Sequence, residues 1–85
     1  MALMSPRRMG GPAYWASGGA IVGRCGPIEL ERARALLDFY DEAAREQRSA
    51  GDSAATLCCL RLAVDLARAV IAASAWRRAA QSQNS

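Results

Sequence analysis

The sequence predicts an all-α fold: an antiparallel two-helix hairpin with a disordered N-terminal arm, completed to a four-helix bundle by dimerisation or by a partner chain. Three observations lead there. Apolar residues recur at spacings of three and four from Leu30 to Ala44 and again from Leu57 to Trp76, which is the period of a helix face. The break between these runs, about Ala50 to Asp52 with Gly51 at its centre, is short enough to force neighbouring helices antiparallel. Residues 1–26 hold six of the seven glycines and two of the three prolines and show little periodicity.

Met9-Gly10-Gly11-Pro12 and Ser17-Gly18-Gly19 read as breakers of either helix or strand. Residues 1–26 are therefore expected to be a flexible arm with a weakly sticky patch at Tyr14-Trp15 and Ile21-Val22. The first helix is placed at residues 27–49. Pro27 suits a first helical position, where its missing N–H would be unpaired anyway, and Glu29 and Glu31 suit the positive end of the helix dipole. Gly51 is a natural left-handed terminator. Leu30, Ala33, Leu37, Tyr40 and Ala44 form a dry face, widened by Leu36, Phe39 and Ala43, while Arg34, Asp38, Asp41, Glu42 and Arg45 form a wet one. Arg34–Asp38 and Asp41–Arg45 are at helical contact spacing, each pair worth ~0.3 kcal/mol.

The second helix is placed at residues 53–80, capped by Asp52 or Ser53, with residues 81–85 as a disordered tail. It carries two apolar stripes. Leu57, Leu60, Val64, Ala67, Ile71 and Ser74 make one; Cys59, Leu62, Leu66, Ala69, Ala73 and Trp76 make the other. At 100° per residue the stripes lie on nearly opposite sides. The first helix can cover only one of them, and a soluble monomer rarely exposes an apolar patch of that size. The covering chain is expected to be a second copy, giving a homodimer, or a heterologous protein. Partner contact is assigned to Leu62, Leu66, Val70, Ala73 and Trp76, with Leu36, Leu37 and Tyr40 holding the hairpin together.

Eighty-five residues make one small domain, which hides only about 60% of its unfolded surface and is correspondingly marginal. All eleven basic residues are Arg, and the net charge is +3. The ends are basic and the middle is acidic: Arg7, Arg8 and Arg24 stand among residues 1–27 with no acid, whereas six of the eight acids fall in residues 28–51. The absence of His removes the commonest general base and metal ligand. The three cysteines, Cys25, Cys58 and Cys59, are an odd number and suggest no disulfide framework. Read as reduced, they favour a cytoplasmic or host-cell interior. Arg7-Arg8 before a mildly apolar stretch has some look of a twin-arginine export signal, but no bulky apolar pair and no small-x-small site follows. A membrane span is opposed by Arg61, Asp65 and Arg68 at mid-helix, each costing roughly 2.5 to 3.5 kcal/mol at a bilayer centre.

No catalytic residue, metal or cofactor is expected. Cys58 and Cys59 diverge on a helix and lack zinc spacing, so a site with Asp65 is disfavoured. Gly18 to Cys25 has glycines five apart but Arg24 and Cys25 where a phosphate loop needs Lys and Ser or Thr. Asp38, Asp41 and Glu42 read as a solvated ladder. The function expected is a non-enzymatic protein–protein interaction module: a small regulator, assembly factor or chaperone-like subunit. The rival is a small nucleic-acid-binding regulator, with Arg7 and Arg8 in a basic arm and Arg77 and Arg78 beside Trp76.

Overall fold

The computed structural model describes residues 11–84. Five elements follow in order: β1 (Tyr14–Ser17), β2 (Ala20–Gly23), β3 (Gly26–Ile28), α1 (Leu30–Ser49) and α2 (Ser53–Asn84). Two helices dominate, but a three-stranded antiparallel meander, β1-β2-β3, precedes them. The all-α expectation is thereby corrected. Residues 14–26, expected as part of a disordered arm, form strands and the turns that join them, and Pro27 and Ile28 close the sheet instead of opening a helix. Arg7 and Arg8 lie outside the described residues.

The signal for the meander is Gly18-Gly19. Ser17 pairs with Ala20, so these glycines form a two-residue hairpin loop. Gly18 has φ +61 and Gly19 does not share the positive sign, the pattern of a turn whose twist matches the flanking strands. Read as a breaker, the pair conceals the hairpin; read as a connection between Tyr14-Trp15-Ala16-Ser17 and Ala20-Ile21-Val22-Gly23, it specifies one. Burial then alternates along the strands. Tyr14, Ala16, Ile21 and Ile28 pack towards the core. Trp15, Val22 and Pro27, which are register partners, form a row on the other face.

The connection between the helices is built almost wholly from local chemistry. Gly51 takes φ +82, its N–H donates to the Arg48 carbonyl at 3.0 Å, and the Asp52 N–H donates to the Gln47 carbonyl at 2.9 Å. These paired bonds are a Schellman stop, which satisfies carbonyls the helix end would leave unpaired. Asp52 also starts α2: its Oδ1 accepts from the Ala55 N–H at 2.9 Å, an N-cap worth about 1 kcal/mol. One residue thus finishes one helix and begins the next. The start of α1 has no such device, since Glu29 makes no side-chain cap. The segment expected as a tail, from residue 81, continues α2 to Asn84.

α2 spans 32 residues against 20 for α1, so at 1.5 Å per residue it outreaches its partner by about 18 Å. The sheet lies along the middle of α2 and reaches the start of this overhang, as far as Trp76 and Arg77. Ile21, Ala33, Leu66, Ala69 and Ala73 form the buried cluster, with Tyr14, Ala16, Ile28, Leu30, Leu36, Leu37, Tyr40 and Val70 packed around it. Polar contacts pin the sheet in place. The Ala13 N–H donates to Asp65 Oδ2 at 3.1 Å, the Tyr14 and Tyr40 hydroxyls share a hydrogen bond, and Arg77 Nε donates to the Gly19 carbonyl at 2.9 Å. A Cβ on Gly19 would stand 2.9 Å from Arg77 Cγ and 3.0 Å from Trp76 Cε3, so a side chain there would force Arg77 or the Trp76 ring to shift.

Two stability outcomes follow from these contacts. Gly51→Ala leaves open space around the new methyl group but holds it at positive φ, so a urea melt should show a loss of about 1 kcal/mol, with Gly51→Asn losing less. Leu66→Ala empties the centre of the core, where Leu66 is, among the described residues, the one large side chain with no exposure. It should cost roughly 2–5 kcal/mol, enough to leave much of so small a domain unfolded by circular dichroism.

Candidate functional site

The fully buried positions are chiefly alanine. Ala33, Ala44, Ala69 and Ala73 are buried, together with Ile21 and Leu66. The larger aliphatics of α2 lie outside: Leu57 is 50% exposed, Leu60 39%, Val64 47% and Ile71 66%. These four belong to one of the two stripes, and the other is the buried one. Small side chains on the Leu66 side let the sheet and α1 come close, whereas the branched side chains of the Leu57 stripe would hold them off.

The residues assigned to partner contact from sequence therefore fall mainly on the inner side. Leu66 and Ala73 are buried, Val70 packs on the core, and Leu62 is half-buried on the wall of a groove shared with Leu36. Trp76 is 55% exposed, but its ring lies under the Gly18-Gly19 turn, within 3.6 Å of where a Gly18 Cβ would stand. Arg77 is engaged with the Gly19 carbonyl, and Arg78 is exposed. Trp76 and Arg77 thus contact the Gly18-Gly19 turn of the sheet.

The exposed stripe has a defined border. Arg61 and Arg68 run along one edge, both exposed. Asp65, placed by the sequence between them in a polar strip, accepts from the Ala13 backbone. Among the described residues the ion pairs are confined to α1, where Arg45 meets Asp41 at 3.1 Å and Glu42 at 3.9 Å. All three partners are well exposed, so these bonds add little stability.

A second feature is a half-open groove of about 650 Å³ between the β2–β3 turn and the helices, lined in part by Tyr14, Arg24, Cys25, Arg32, Leu36 and Leu62. Of its polar side chains Arg24 and Arg32 are exposed, while the Tyr14 hydroxyl is bonded to Tyr40. Among the described residues no cluster of three His, Cys, Asp or Glu could hold a metal, and none of the three cysteines is bridged. No described helix is long and apolar enough to cross a membrane. Comparison with known protein families, with curated proteins and with solved structures yields no match.

Among the described residues the one strongly shifted titratable group is Tyr40. Burial, then the hydrogen bond to the Tyr14 hydroxyl, pushes its pKa up to about 12. The folded state holds this proton more tightly than the unfolded chain does. Its contribution to stability is therefore complete below about pH 10 and is lost as pH rises through 12. An ultraviolet titration should show Tyr40→Phe deleting the phenolate signal that appears near pH 12. A signal lost near pH 10 instead would place Tyr40 in water and break the β1–α1 link.

Proposed function

We propose that the protein is a non-enzymatic interaction module, a small regulator or assembly subunit, that docks another protein chain on the α2 stripe of Leu57, Leu60, Val64 and Ile71. The supporting observation is the placement of bulk on α2: among the described residues four of the six buried hydrophobic ones are alanines, while four large aliphatics of this helix stand in a row outside. Covering side chains that are already half out of water gains roughly 1 kcal/mol apiece, a driving force the folded chain leaves unused. The stripe is continuous at helical spacing, so it suits docking of a helix or a helix-lined groove. Its overall dimensions agree. The radius of gyration is 15.5 Å, with extents of 52 × 39 × 17 Å, whereas a compact domain of this length has a radius near 12 Å.

The test places a photo-reactive side chain at Arg68, on the rim of the stripe, and a control at Glu42, on the outer face of α1. Irradiation in cells should give adducts with protein at position 68 and far fewer at position 42, and Val64→Arg should abolish the former. Equal labelling at the two positions would remove the stripe as the docking surface.

A further inference from the structure

We infer that the chain seated on the α2 stripe is a second copy of this one, with the two α2 helices parallel about a two-fold axis running along them; this rests on the docking role proposed above. Three features of the stripe select that occupant. The first is its period. Leu57, Leu60, Val64, Ala67, Ile71 and Ser74 alternate by three and four, the 3.5-residue repeat of a coiled-coil seam, which is its own complement when two copies meet. The buried stripe of α2 instead packs on α1 and the sheet.

The second feature is side-chain shape. With Leu57, Val64 and Ile71 at the a positions, Leu60, Ala67 and Ser74 are at d. Branched Val and Ile at a with Leu at d favour two parallel strands over larger assemblies. Ala67 and Ser74 are small and let the helices approach, and Arg78, at the next a position, ends the seam. The third feature is charge. Arg61 and Arg68 both occupy e positions on one edge. An antiparallel pairing would set e against e and bring Arg61 of one copy beside Arg68 of the other. A parallel pairing sets e against g, where Thr56 and Ala63 are neutral, and the repulsion disappears.

The chain exposes 6487 Å², whereas a compact monomer of 9.1 kDa exposes about 4,900 Å². A standard stable interface removes roughly 800 Å² from each partner, less than the excess of the chain as a whole.

Sedimentation equilibrium of the full chain across a concentration series tests the proposal. The expected mass is twice 9.1 kDa, falling to a single chain for Val64→Arg with helical circular dichroism unchanged. In a background carrying Cys25→Ser, Cys58→Ser and Cys59→Ala, the added substitution Leu57→Cys should oxidise to a covalent dimer, since a parallel seam brings the two a positions within disulfide reach. Glu42→Cys in the same background should not. A dimer that fails to bridge at position 57 would overturn the parallel seam. A folded monomer at every concentration would overturn the second copy; adducts at position 68 to a different protein would then leave the docking reading standing, and their absence would sink both.

Discussion

Everything in this fold answers to the mismatch between its two helices. α2 is long and apolar on two sides, and α1 is twelve residues shorter and can lie along only part of it. Left alone, the C-terminal half of α2 would present Ala69, Ala73 and Trp76 to water. The meander resolves this by folding back over that half, with the Gly18-Gly19 turn set against Trp76 and Arg77 and Ile21 entering the cluster around Leu66. A three-stranded sheet with strands of four, four and three residues would not stand by itself in water. It exists because the helix offers it a surface, and the helix stays packed because the sheet is there.

The energetic margin of the arrangement is small. Alanine buries little area, so a core of Ala33, Ala44, Ala69 and Ala73 contributes far less than the same positions filled by Leu. What alanine provides is close approach: two helices and a sheet can meet with short gaps only where side chains are small. The bulk the core does without lies on the outer side of α2. Fold and proposed function thus draw on one distribution of side-chain volume, with alanines at many of the fully buried positions and branched residues along the face proposed to dock a partner.

The sequence was informative wherever the determinants are local. The helix–helix connection could be placed at Ala50 to Asp52 because Gly51 and Asp52 act within one turn of the backbone, through left-handed φ and an N-cap. The two stripes of α2 were visible because helical period is a property of consecutive residues. The meander was not, because each strand is too short to show a pattern of its own and its stability comes from a helix more than forty residues away in sequence. Gly18-Gly19 carried the one local signal, and it serves equally as a breaker or as a hairpin turn until something covers the strands.

The sequence by itself determined the two helices, their antiparallel order and the fact that α2 has more apolar surface than α1 can hide. Only the tertiary structure decided which stripe goes inside. Hydrophobicity is similar on the two sides, so composition cannot choose between Leu62-Leu66-Ala69-Ala73 and Leu57-Leu60-Val64-Ile71. Packing can: the face bearing Ala69 and Ala73 admits Ile21 and the Gly18-Gly19 turn at contact distance, and a face of branched side chains does not.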